Sequence, residues 1–166
     1  MKYAIITPTY INHFKYIKTY LKSFDKFVED KKDIPIFFTI SKNEQRIFKK
    51  IISPYTEKLD LRILYIEDLF AKNNIRESSI EFLTKYGRFT FQTAKKFFTM
   101  LSIDADKFLV LDSESMWIKK TNMKQCFDDY FSNPFIVISD IDNIQRTDEC
   151  FNTMLSNIYT ILDMKT

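Results

Sequence analysis

Short apolar runs alternate along this chain with longer segments whose apolar residues return every three or four positions. No other feature narrows the fold as much, because strands separated by helix-length segments pair most readily in parallel, through crossovers. The strand-like runs are Tyr3–Thr7, ended by Pro8; Ile34–Ile40; Leu61–Ile66, with Glu67 and Asp68 at its carboxyl end; Lys107–Leu111; a short run at Met116–Lys119; and Phe135–Ser139. Between the first two, Phe14, Ile17, Leu21, Phe24 and Val28 mark one helical face. A second helix is expected from Asn43, as its N-cap, to Ile52, with Pro54 as its stop. Helices over Arg88–Ile103, Asn122–Phe131 and Asp148–Met164 complete the pattern, the first of them with Phe91, Ala94, Phe97, Phe98 and Leu101 inward. Residues 72–86 read as a loop holding at most a short helix. The expectation is an α/β fold, a mostly parallel central sheet flanked by helices, in one domain spanning all 166 residues.

Composition matters most for what it removes. The chain has a single glycine, Gly87, and therefore no glycine-rich phosphate loop and no G-x-S-x-G elbow. Its single histidine, His13, excludes a multi-histidine metal site. His13 itself reads as a capping or packing residue near the first strand end. Net charge is +3, with lysines spread along the chain and only five arginines, a pattern that argues against nucleic acid as the partner. Cys126 and Cys150 are too far apart for a C-x-x-C element, and two free thiols suit a reducing, cytoplasmic setting. The amino terminus has too short an apolar run for a signal peptide. Lys15, Lys18, Lys22 and Lys26 line the polar side of the first helix, as a solvated face or as peripheral contact with anionic lipid at the inner face of a membrane.

Ligands of open α/β sheets bind beyond the carboxyl ends of the strands. Here those ends carry Thr7-Pro8-Thr9, Ser41, Glu67-Asp68, Asp112-Ser113-Glu114 and Asp140-Ile141-Asp142. Hydroxyls and carboxylates without a cationic cluster would repel a pyrophosphate, unless Mg²⁺ or Mn²⁺ is held on one or two of the carboxylates. Asp112 and Glu114, spaced D-x-E after a buried strand, suit one such ion. The Arg88–Ile103 helix leads straight into that strand, and its polar side carries Gln92, Lys95, Lys96 and Thr99, either exposed to solvent or flanking the pocket with positive charge. Trp117, Phe89 and Phe91 read as core or rim packing.

The block Gly87-Arg88-Phe89-Thr90-Phe91-Gln92-Thr93-Ala94-Lys95-Lys96, followed by Asp106-Lys107-Phe108-Leu109-Val110-Leu111-Asp112-Ser113-Glu114, resembles the central signature of bacterial glycosyltransferases of the GT-A nucleotide-diphospho-sugar transferase superfamily. The opening Ile5-Ile6-Thr7-Pro8-Thr9-Tyr10 is similar to that family's first strand and nucleotide-contacting loop, and the likeness covers about residues 1–125. It implies a GT-A fold and a nucleotide-diphosphate sugar as donor. Asp112 and Glu114 would hold Mn²⁺ or Mg²⁺, and Thr7, Pro8, Thr9, Gln92, Lys96, Asp112 and Ser113 would contact the nucleotide. It also implies a glycan or lipid-linked acceptor, in capsule or lipooligosaccharide assembly. Two departures stand out: Glu114 replaces the usual second Asp, and the part after residue 125, where the family binds its acceptor, is short. Asp140 and Asp142 form a rival D-x-D, or include the base that takes the acceptor proton. The apolar stripe over Asp148–Met164 needs a partner, which makes a homodimer an expectation. The alternative to an enzyme is a non-catalytic, incomplete domain that binds a nucleotide or a partner chain.

Overall fold

The computed structural model describes residues 2–134. Asp140, Asp142, Cys150, the Phe135–Ser139 run and the Asp148–Met164 segment lie outside these residues. Four strands, β1 (Tyr3–Pro8), β2 (Ile36–Ile40), β3 (Leu61–Tyr65) and β4 (Lys107–Val110), form a wholly parallel sheet in the order β3-β2-β1-β4. The α/β architecture expected from the sequence is the one observed. Ala4 to Thr9 and all of β2 are buried, which is why these strands read as unbroken apolar runs.

The connections explain the layers. Helix α1 (Phe14–Phe27) joins β1 to β2, and α2 (Gln45–Ile52) joins β2 to β3, both steps in the same direction across the sheet. Right-handed crossovers then put both helices on one face, where they pack together. The return from β3 to β4 runs the other way, so α3 (Ile66–Lys72) and α4 (Ser79–Ser102) take the opposite face, with α4 against β1 and β2. The first face holds the larger core, in which Phe48 of α2 meets Phe14 and Phe38 at ring separations of 4.9 and 5.1 Å. Trp117 closes this core at its rim, edge-on to Tyr20 and Phe24. The second face is smaller, with Phe70 of α3 seated against Phe82, Phe91 and Phe98 of α4.

Local chemistry sets the boundaries. Ser41 and Glu44 form a reciprocal capping box ahead of α2, so the cap lies two residues before the expected Asn43. Ser78 and Glu81 do the same at the start of α4. That box starts a helix in the stretch read as a loop with at most a short helix, and α4 runs on to Ser102. Its one interruption is Gly87, at φ 80° and ψ 173°, a conformation reserved for glycine. Glu67 and Asp68, read as the tail of the third strand, sit instead in the first turn of α3, where carboxylates favour the helix dipole. The Met116–Lys119 run is not a strand. Helix α5 (Met123–Ser132) follows, with Asn122 accepting from Gln125 N–H and Asp30 accepting from Met123 and Lys124 N–H.

The inward side of α4 differs from the expected one. Phe91, Ala94 and Phe98 pack inward, but Phe97 and Leu101 are 58% and 71% exposed, and Phe89 is exposed as well. Lys95 and Thr99 are buried in their place. The sheet end beneath α4 presents Thr9 and Thr39 rather than apolar side chains, so the buried arc of the helix has to carry polar partners.

Candidate functional site

The strand order reverses between the neighbours β1 and β4, since the chain steps from β1 through β2 to β3 and returns to β4 on the other side of β1, and this switch point lies at their carboxyl ends. On the β1 side, Thr7 Oγ1 is turned into the core, 2.8 Å from Tyr20 Oη, and Pro8 is buried. Burial pushes the Tyr20 phenol well above its ordinary range, so it stays protonated as Thr7's partner. Thr9 is wholly buried, with its N–H donating to Thr39 O at 3.2 Å. Its hydroxyl has no hydrogen-bond partner among the described residues. Its carbonyl accepts from Lys95 Nζ at 2.8 Å.

Lys95 is 1% exposed, an uncommon position for an ammonium. Burial pushes its pKa down to about 8, and Glu44 and Glu67 partly oppose that fall. Those two carboxylates are fixed by other bonds: Glu44 accepts from Ile11 and Ser41 N–H, and Glu67 from Lys42 N–H and Ser79 Oγ. The aromatic face of Phe91 lies 4.9 Å from the Lys95 nitrogen. Together these contacts clamp the end of β1 to α4.

On the β4 side the chain turns out of the sheet at Asp112-Ser113-Glu114, with Ser115 N–H returning to Asp112 O at 3.0 Å. Lys96 Nζ lies 3.3 Å from Asp112 Oδ1. Glu114 Oε1 lies 2.7 Å from His13 Nδ1, while its other oxygen accepts from Ser113 Oγ at 3.1 Å. Ser113 is 1% exposed, and Asp112 and Glu114 face solvent. His13 also stacks on Tyr10, with ring centroids 4.2 Å apart. It stands at the N-cap position of α1 without a side-chain capping bond, so of the capping and packing roles read from the sequence it is packing that its ring performs. Gln92 is half-buried one turn ahead of Lys96 on α4.

At the carboxyl ends of β1 and β4 the structure thus joins Thr9 to Lys95, Asp112 to Lys96, and Ser113 and Glu114 to His13. Thr7 and Pro8 are buried in the core. The mouth is not purely acidic: α4 brings Lys96 to it, one of the two expectations for the polar side of that helix, and the residues before α1 bring His13. Sequence reasoning placed Lys95 on the polar side of α4 without its burial, and it missed His13 as a partner of the carboxylates, although His13 follows the first strand by only a few residues. A depression of 740 Å³ at the opposite, amino-terminal end of the sheet is lined by charges already paired, Lys2 with Asp104 and Lys124 with Asp33.

Asp112 and Glu114 match the oxygen-donor chemistry of Mg²⁺ or Mn²⁺, which one or two carboxylates hold together with substrate phosphates. Among the described residues no three His, Cys, Asp or Glu side chains gather as a metal cluster.

No protein-family profile matches the chain, and no curated protein does. Solved structures share its fold. S. aureus TarS residues 1–349 superposes with a TM-score of 0.51 at 19% identity, over 87% of this chain and 40% of that one. The TarS 1–349 complex with UDP-GlcNAc gives 0.52 at 20% identity, over 87% and 39%. Mouse xyloside xylosyltransferase 1 gives 0.54 at 15% identity, over 81% and 50%. The chain therefore spans half or less of the length of these proteins. This chain shares their α/β fold.

Proposed function

We propose that this chain binds a nucleotide-diphosphate sugar at the carboxyl ends of β1 and β4 and takes part in transfer of the sugar, as a glycosyltransferase of the GT-A kind. The observation that carries this reading is the meeting of Lys96, His13 and the Asp112-Ser113-Glu114 turn at the switch point of the α/β fold shared with TarS and the xylosyltransferase. The structures with UDP and UDP-GlcNAc bound to TarS support the choice of ligand.

In transfer, the bond between the sugar's anomeric carbon and the diphosphate oxygen breaks, a bond to the acceptor oxygen forms, and the acceptor hydroxyl loses its proton. Asp112 and Glu114 would hold Mn²⁺ or Mg²⁺, which supplies positive charge to the leaving diphosphate. Lys96 adds a fixed cation beside Asp112, aimed where charge develops. The Lys95 bond to Thr9 O holds the β1 end in place, so that the nucleotide meets a preformed wall. Gln92, half-buried on the same helix, and the buried Ser113 complete the donor side. Asp140 and Asp142 are the candidates for the base that receives the acceptor proton. The acceptor is a glycan or lipid-linked saccharide of bacterial capsule or lipooligosaccharide assembly, at the cytoplasmic face of the membrane, with the chain acting as a homodimer.

Thermal unfolding with UDP, with and without Mn²⁺, tests this reading. Saturating ligand at about 100 times Kd should stabilise the native state by about 2.7 kcal/mol. Asp112→Asn should keep the unliganded melting temperature and lose the Mn²⁺-dependent part of the increase. Equal stabilisation by UDP in EDTA would remove the metal from the proposal. No stabilisation by any nucleoside diphosphate would remove the donor site itself. Binding without transfer to any acceptor would leave the non-catalytic alternative.

A further inference from the structure

The sheet face that carries α1 and α2 presents an unusual charge pattern to solvent. The exposed side of α1 bears Lys15, Lys18, Lys22 and Lys26, a stripe about 16 Å long at 1.5 Å per residue. Beside it, α2 exposes Arg46, Lys49 and Lys50. Helix packing and a bond from Tyr55 Oη to Lys18 O unite the two stripes into one surface. None of these cations makes an ion pair among the described residues, although Lys15 and Lys26 lie over the rings of Tyr16 and Phe27. Elsewhere lysines and arginines mostly take a carboxylate, as Lys31, Lys42, Arg62, Lys85, Lys107 and Lys124 do. The two helices contain one acid, Asp25, and it is drawn aside by Lys31 and Lys58.

Mutual repulsion makes such a surface costly unless an anion faces it. Three exposed apolar residues border it: Ile11 at 48%, Tyr16 at 39% and Ile47 at 47%. Lysines with long apolar stems, together with isolated apolar side chains on a two-helix layer, suit the headgroup boundary of a bilayer. Six lysines to one arginine suit base or phosphate-groove recognition poorly, since that relies on guanidinium forks. We propose that the α1–α2 face docks this chain on a membrane surface rich in anionic lipid. Helix α1 begins just after His13, which pairs with Glu114 at the strand ends, so docking on this flank sets the strand ends next to the bilayer. The docking does not depend on what the mouth binds.

Co-sedimentation of the full chain with vesicles tests the proposal. The chain should bind phosphatidylcholine vesicles containing phosphatidylglycerol and ignore pure phosphatidylcholine. Lys18→Glu, Lys22→Glu and Lys49→Glu together should lower that binding by at least about tenfold, given roughly 1 kcal/mol per surface cation. Lys72→Glu, Arg76→Glu and Arg88→Glu carry the same change in charge on exposed residues of the other helical layer and should leave binding within about twofold. Should the first triple variant not fold, the same three positions changed to Gln should show the loss in milder form. UDP stabilisation, measured alongside, reports on the mouth separately, so failure of one reading is distinguishable from failure of the other. Equal losses in both triples would reduce the effect to net charge and overturn the proposal. So would absence of binding to the anionic vesicles. Retention of short duplex DNA, with the vesicles ignored, would place a nucleic acid on this face instead.

Discussion

Replacing Lys95 with Met removes an ammonium while keeping most of the side chain's apolar length. In the native chain that ammonium is 1% exposed, donates to Thr9 O at 2.8 Å, and has its pKa lowered from 10.5 to about 8. At about 1.36 kcal/mol per pH unit, the displacement corresponds to on the order of 3 kcal/mol against the charged form. The sign follows from proton counting. Between about 8 and about 10.5 the unfolded chain keeps a proton on Lys95 that the folded chain has released, so stability rises with pH across this window. At neutral pH the variant escapes the burial cost but leaves the Thr9 carbonyl without its donor, a loss of about 1–3 kcal/mol. The two nearly cancel, and wild type and Lys95→Met should unfold at similar urea concentrations near pH 7. By about pH 10 the wild type should have gained up to roughly 3 kcal/mol over the variant. The single tryptophan, Trp117, packed on Tyr20 and Phe24, reports unfolding by fluorescence. Every other titrating group is common to both chains and drops out of the difference. A difference that stays flat from pH 7 to 10 would refute the buried, destabilised ammonium.

Lys96→Ala should weaken UDP binding by about 1.5–3 kcal/mol in calorimetry, the range for hydrogen bonds to charged groups, while Lys124→Ala, whose side chain pairs with Asp33, should leave it unchanged. Gly87→Ala should cost about 1–3 kcal/mol in urea unfolding through backbone strain alone, since a Cβ there meets nothing within 4 Å. Phe48→Ala, at the centre of the larger core, should cost about 3–5 kcal/mol by the same assay.

The sheet was legible because its two inner strands are buried on both faces, which forces apolar runs such as Ile36 to Phe38 that no exposed segment would show. Helix α1 was legible because its lysines and its core residues keep opposite sides over four turns. Residues 72–86 hid a helix because the start of α4 buries little: Phe82 is its half-buried anchor, and Ile80, Leu83 and Tyr86 are exposed. With so weak an apolar period, the capping box of Ser78 and Glu81 was the better signal. The inward side of α4 was misread for a related reason. Periodicity assumes that what lies opposite a helix is apolar, and beneath Lys95 and Thr99 lie a carbonyl and a threonine hydroxyl.

The same assumption shaped the reading of the mouth. Residues at strand ends were visible along the chain, and they are acidic; what balances them arrives from helices folded over from elsewhere. Asp112 takes Lys96 from α4, and Glu114 takes His13 from the start of α1, across 16 and about 100 positions respectively. Each carboxylate is exposed, at 69% for Asp112 and 42% for Glu114, more than the partner it takes. An arriving diphosphate would find Lys96 already held within reach by Asp112, so little side-chain entropy remains to be lost on binding. Lys95 takes no part in that: with its nitrogen on Thr9 O and its surface 1% exposed, it braces the wall while Lys96, one residue on, pairs with Asp112. Two adjacent lysines thus divide into a buried brace and an outer cation paired with Asp112 because a helix turns by about 100° per residue, and only one of the two can point into the sheet.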